Sequence, residues 1–301
     1  MKKLVFILTV SMTVCGCASL TKTQIESVNQ FAHHSQNFSA FPGRIMTELA
    51  EIRTIRGVWY ANSLSVSRFH IDVLDSVYFN KTHAYNVSEK SDITFQVIDK
   101  YAQSLALLSC DRYEKEFVKQ TEGFGVGLDT LIKRYNRIDN TFALPEGIGA
   151  VAGELIIMGG RQYIRSRQAR EIKKFVPQAD TLVAVMTTNL LQFLKSENID
   201  ELIRAEEFGL NQNYLSYIRQ SQGSSTQADF QYLDLKTRLD AVKQLRSKTI
   251  TATKSMRKAH RELLESIQKK KKLIESLQGI KVMAMQVRDL KATVDKIEKP
   301  K

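Results

Sequence analysis

Two stretches near the C-terminus, Ser255-Met256-Arg257-Lys258 and Ser266-Ile267-Gln268-Lys269, have the SxxK spacing. In that spacing a lysine three residues after a serine can take the hydroxyl proton and free a nucleophile for acyl transfer. So lysine-rich a segment produces the pattern by chance, and no GxSxG accompanies it. Metal chemistry has no better footing. His33 and His34 are adjacent, so on a helix they diverge instead of converging on one ion, and no His-Glu-x-x-His pair occurs. His70, His83 and His260 stand alone and read as surface or core-edge residues. Gly147-Ile148-Gly149-Ala150-Val151-Ala152 fits GxGxxA, a phosphate-cradling turn, but Leu144-Pro145-Glu146 stands where a strand is required and a basic helical run follows. The chain is therefore read as a non-enzyme without a cofactor or a metal site.

The same glycines support a packing reading. Eight of the fourteen fall between residues 123 and 160, and the pairs Gly123/Gly127 and Gly149/Gly153 have GxxxG spacing. Small residues four apart leave a groove along a helix that a neighbouring backbone can enter, in a core or in lipid. An apolar Gly-rich stretch, Gly147 to Gly160, within a helical chain resembles in layout the hydrophobic region of α-pore-forming toxins of the hemolysin E type. That resemblance implies insertion into a bilayer as the alternative to a buried hairpin. Glu154 and a length below the roughly 20 residues of a spanning helix weigh against it.

Charge is segregated. Residues 236 to 301 hold nineteen Lys or Arg against seven Asp or Glu, whereas the other 25 basic and 25 acidic residues cancel. The basic set comprises Lys243, Arg246, Lys248, Lys254, Arg257, Lys258, Arg261 and the run Lys269, Lys270, Lys271 and Lys272. Such asymmetry marks a surface for an anionic polymer, a membrane face or an acidic protein partner, or else a solvated helix. Few aromatics interleave with these cations, so nucleic acid is not the expected partner.

The N-terminus supplies an address. Met1-Lys2-Lys3 precedes an apolar run from Leu4 to Val14 that is too short to span a bilayer, and small residues follow, which is the layout of a removed signal peptide. Val14-Cys15-Gly16-Cys17 resembles the lipobox of bacterial lipoproteins. The resemblance implies cleavage after Gly16, acylation of Cys17 and, because Ala18 and not Asp follows it, the outer membrane of a Gram-negative cell. The protein would be held there on the periplasmic side or at the surface. Cys15 leaves with the signal, so Cys110 is the one other thiol and no internal disulfide is expected.

The remaining patterning predicts an all-α chain, an elongated helical bundle with a long basic C-terminal helix or coiled coil. Four prolines and apolar residues three and four apart carry this reading. Residues 17–24 are expected as a lipidated tether, 25–222 as the bundle and 226–301 as the coiled-coil-like region, with a boundary at Gln222-Gly223-Ser224-Ser225. A polar loop is expected over 80–90, a fresh helix at Pro177, and a capping box at Thr226 and Asp229. Two seams follow. Met256, His260, Leu263, Ile267, Lys270, Ile274 and Leu277 form one; Ile280, Met283, Val287, Leu290, Val294 and Ile297 form the cleaner second, with a bend beside Gly279. Each needs a partner. An earlier helix is favoured over a second copy because several amphipathic helices lie upstream, and self-association stays open.

Overall fold

A computed structural model describes residues 20–41, 43–87, 89–110, 124–138, 143–150, 165–223, 225–268 and 273–298. Among them the chain is all-α. The ten principal helices are α1 (Lys22–Ser39), α2 (Arg44–Asn62), α3 (Ser67–Val87), α4 (Glu89–Ser109), α5 (Phe124–Ile138), α6 (Arg165–Gln178), α7 (Asp180–Leu194), α8 (Glu197–Gln220), α9 (Thr226–Ile267) and α10 (Leu273–Glu298).

The axis of the bundle is α9. Its 42 residues span about 63 Å at 1.5 Å per residue. Leu235, Leu239, Val242, Leu245, Thr249, Ala252, Met256, Ala259, Leu263 and Ile267 recur at three- and four-residue steps and are all buried. No single short helix can cover a stripe of that length. Towards its C-terminal end α1, α6 and α7 pack on it; towards its start α2 and α8 do, and α10 returns along it as an antiparallel hairpin partner. Outside these, α3 packs on α2 and α5 on α4. The second seam is thus satisfied within one chain. Ile280, Met283, Val287, Leu290, Val294 and Ile297 are buried as their spacing requires.

Several local expectations shift. The expected tether over 17–24 gives way to helix already at Lys22, because Thr21 accepts the Gln24 N–H (3.2 Å) while Gln24 Oε1 accepts the Thr21 N–H (2.9 Å). The polar stretch 80–90 is not a loop: α3 runs through Val87 and α4 begins at Glu89. Polarity alone does not break a helix, and no Gly or Pro occurs there. Pro177 lies inside the last turn of α6 instead of opening a helix, and the join to α7 falls at Ala179. The cap of α9 is Ser225, whose hydroxyl accepts the Ala228 N–H (3.1 Å), not Thr226; Asp229 instead accepts from the Tyr214 hydroxyl. At 222–225 the chain turns through Gln222 (φ 55°) and Gly223 (φ 149°), with the Gly223 N–H closing back on the Ile218 carbonyl (3.1 Å). Residues on both sides of this turn belong to one hydrophobic cluster.

The C-terminal seam also breaks earlier than its periodicity places it. The helix stops at Ile267 and Gln268, so Ile274 is 78% exposed and Ser276 takes the buried position. Gly279 lies within α10. A Cβ there would stand 1.9 Å from Glu262 Oε2, so glycine permits the close crossing of α9 and α10.

Ion pairs lock α2, α8 and α9 together. Glu206 of α8, with no side-chain exposure, accepts from Arg53 Nε (2.6 Å) and Arg56 Nε (2.6 Å) of α2. The Arg56 guanidinium reaches it by crossing Gly209, where a Cβ would meet Cζ at 2.6 Å. Removing the carboxylate leaves two cations facing each other, so Glu206→Ala is expected to lower the unfolding free energy by about 3 kcal/mol. Gly209→Ala is expected to act in the same direction by less. Urea denaturation checks both, and two wild-type midpoints would show that the pair does not hold α2 on α8.

Candidate functional site: the basic hairpin and its buried histidine

The cations of α9 divide into two groups that the sequence does not distinguish. Near its start they are consumed within the fold. Arg238 donates to Glu48 (Nη2–Oε2 2.6 Å) and Glu51 of α2, Lys243 to Glu207 of α8 (2.9 Å), and Arg246 to Asp200 of α8 (Nη2–Oδ2 3.1 Å). The hydrogen bond from Arg246 is the main cause holding the Asp200 carboxyl below its usual range. Lys248 donates to Thr293 Oγ1 of α10 (2.8 Å). The second group, Lys254, Arg257, Lys258 and Arg261, is exposed on one face of α9, a stripe about 10 Å long. Only looser contacts restrain it: Arg257 Nη1 donates to Thr188 Oγ1 (3.0 Å) and Lys258 lies 4.0 Å from Glu262. Lys269, Lys270, Lys271 and Lys272 lie outside the described residues, as do Cys17, Gly123 and Gly153.

The two described glycines of the GxxxG pairs differ. Gly149 is buried, and its N–H and that of Ala150 donate to the two oxygens of Asp129 (2.8 Å each). Among the described residues no atom lies within 4 Å of the place a Cβ of Gly127 would take. Cys110 is half-buried at the end of α4, where its carbonyl accepts from Gln168 Nε2 (3.1 Å).

Beneath the exposed stripe lies a polar group that sequence reading missed. His260 is 1% exposed, not isolated at the surface. Its Nε2 is 2.7 Å from the Tyr101 hydroxyl of α4 and its Nδ1 is 3.2 Å from Asp180 Oδ1 of α7, while the Phe31 ring of α1 lies 5.5 Å from its own. Burial, and then the Asp180 charge, push the Tyr101 phenol well up, so the hydroxyl keeps its proton and shares a hydrogen bond with Nε2. Nδ1 faces Asp180, whose carboxyl is held below the usual range first by the hydrogen bond to His260 and further by the His260, Arg261 and Arg257 charges. The three residues close a hydrogen-bonded network joining three helices, with the ring and phenol both buried. The one sequence signal for it is a histidine standing in an otherwise apolar seam. Tyr101 lies 159 residues away and Asp180 lies 80 away.

Among the described residues no group of His, Cys, Asp and Glu could hold a metal ion, and no helix is long and apolar enough to cross a membrane. At the end of α9, Gln24 Nε2 of α1 donates to the Ser266 carbonyl (3.0 Å), which sets the first turn of the described chain beside the last turn of the axis.

Two measurements follow. Tyr101→Phe leaves a buried imidazole nitrogen without its hydrogen-bond partner and is expected to cost about 1–3 kcal/mol in unfolding free energy, read by denaturant titration. The second concerns His34 of α1. Burial first, then His33 and Arg288 of α10, lower its pKa. The fold favours the neutral ring, so between the folded-state pKa and the ordinary value of 6.5 the folded chain binds fewer protons than the unfolded one. That stability is intact above the ordinary value and is lost as the pH falls through the window. Tm is therefore expected to drop on acidification across it, with a smaller drop in His34→Gln.

No family model matches the chain, and no curated protein or solved structure matches it either.

Proposed function

We propose that the chain is a lipoprotein of the bacterial envelope, anchored in the outer membrane by acyl chains on Cys17 and acting there as a structural or interaction component. The observation that supports this most is the Gln24–Ser266 contact. Thr21, the cap of α1, is four residues beyond Cys17, and α9 ends one residue before the link to α10 begins. That link contains Lys269 to Lys272 in sequence. Acyl attachment and four consecutive cations therefore join the body at the same end. One acyl chain gives only marginal, reversible anchoring, and a polybasic segment near an anionic leaflet adds about 1 kcal/mol per lysine within a Debye length of about 8 Å. The lipid fixes the protein on the bilayer, and the helical body presents long charged faces to envelope partners or anionic polymers.

Metabolic labelling with a palmitate analogue tests the anchor. The wild-type chain is expected to take up label and sediment with outer membranes, and Cys17→Ser to lose the label and move to the soluble fraction. Changing Lys269 to Lys272 to glutamine is expected to weaken binding of the unlipidated mature chain to anionic vesicles by about 4 kcal/mol at low salt, and by less at higher salt. Vesicles that leak their dye in a manner dependent on residues 147–160 would favour the membrane-inserting reading instead.

A further inference from the structure

We infer that the outer side of the α8–α9 hairpin is a dimer face, on which Phe208, Leu215, Phe230 and Leu233 form one apolar patch that pairs with the same patch of a second copy of the chain. The inference goes beyond the anchored reading and does not depend on Cys17.

Helical spacing assembles the patch. Phe208 and Leu215 of α8 are seven residues apart, so they share a face and lie about 10 Å apart along the axis. Glu206 and Asn213 of the same helix reach α2 through the Arg56 guanidinium and carbonyl, and Leu210 and Tyr214 are buried, so Phe208 and Leu215 are directed away from α2. On α9, Leu235 and Leu239 turn into the core and Arg238 reaches α2. That leaves Phe230 and Leu233, three residues apart, on the outer side. The two helices are pinned level at this height, because the Tyr232 hydroxyl donates to Asn211 Oδ1 (2.8 Å) and the Tyr214 and Tyr232 rings stack with centroids 4.5 Å apart. Leu233 therefore comes level with the interval between Phe208 and Leu215.

Charge avoids this surface. A quarter of the whole chain is charged, but between Gly209 and Leu233 the charged residues are Arg219 and Asp229 alone, and Asp229 accepts from the Tyr214 hydroxyl. Aromatic side chains with few charges among them mark the centre of a protein interface. An anionic polymer finds no row of cations here.

A second copy fits the patch in area and in charge. Phe208 and Phe230 are 67% and 68% exposed, Leu215 and Leu233 45% and 57%. An aromatic side chain buries about 150–250 Å² when covered, so with the leucines the patch offers roughly 400 Å² per copy. Two copies face to face cover about 800 Å² from these side chains, and the exposed rim of Arg204, Gln212, Gln227 and Lys236 brings the contact to the roughly 1,000 Å² of a specific interface. A two-fold contact sets the same residues against themselves, so it requires a face that does not repel its own copy. This one is nearly neutral at its centre. A two-fold axis crossing the hairpin lays the two α8 helices antiparallel, with Phe208 of one copy against Leu215 of the other and Leu233 beside its own equivalent.

The test is sedimentation equilibrium of the chain from residue 17 onward with Cys17→Ser and Cys110→Ser, over a micromolar concentration series. A mass of two chains is expected. Phe208→Asp with Leu233→Asp is expected to weaken association at least about tenfold, while circular dichroism and the urea midpoint stay unchanged because both positions are exposed. In the same cysteine-free background Leu233→Cys is expected to form a disulfide between copies on mild oxidation. Gln244→Cys, exposed about three turns further along α9, is expected not to. A monomer at every concentration overturns the inference, as does a dimer that the two aspartates leave intact or that crosslinks equally through residue 244. Binding of a monomeric chain to phosphatidylcholine vesicles, lost in Leu233→Asp, would assign the patch to lipid and overturns the pairing as well.

Discussion

Everything in this molecule is arranged around the need to bury one very long apolar stripe. Over 42 residues α9 presents an uninterrupted row of buried side chains from Leu235 to Ile267, and a helix of that length exceeds the reach of any single neighbour. The chain solves this by covering the stripe in segments. The helices α1, α6 and α7 cover one half, α2 and α8 the other, and α10 runs back along the axis. The remaining helices pack outside these, so elongation follows from the length of the axis.

Polar groups decide how the covering helices are fastened. Each fastening joins residues far apart in sequence: Glu206 between two arginines of α2, Arg238 on two glutamates of α2, Arg246 on Asp200, and His260 between Tyr101 and Asp180. Such pairs add less to stability than their number suggests, because desolvation offsets much of the attraction. Their larger effect is on register. The Arg56 guanidinium crosses Gly209 to reach Glu206, and the Glu262 carboxylate passes Gly279, so each helix meets its neighbour where a glycine leaves room for a charged side chain.

The same pairing redistributes charge. In sequence the C-terminal fifth carries the whole excess of twelve positive charges. In the folded chain the cations between 238 and 248 are met by acceptors from α2, α8 and α10, and the exposed row of α9 is reduced to residues 254–261. Fold and surface charge are therefore set by the same contacts.

Helical class, the long C-terminal helices and the buried second seam were legible in the sequence, because three- and four-residue periodicity and the near absence of proline are local properties of the chain. Thr21 with Gln24 also advertises a cap within four residues. Polarity over 80–90 misled, because charged and hydroxyl side chains accept a helix when no glycine or proline interrupts it. The role of His260 was beyond sequence, as were the pairing of the cations between 238 and 248 and the meeting of α1 with the end of α9 at Ser266. Each depends on which residues more than thirty positions apart become neighbours, and local spacing carries no information about that. Only the tertiary packing of the covering helices on α9 decides it.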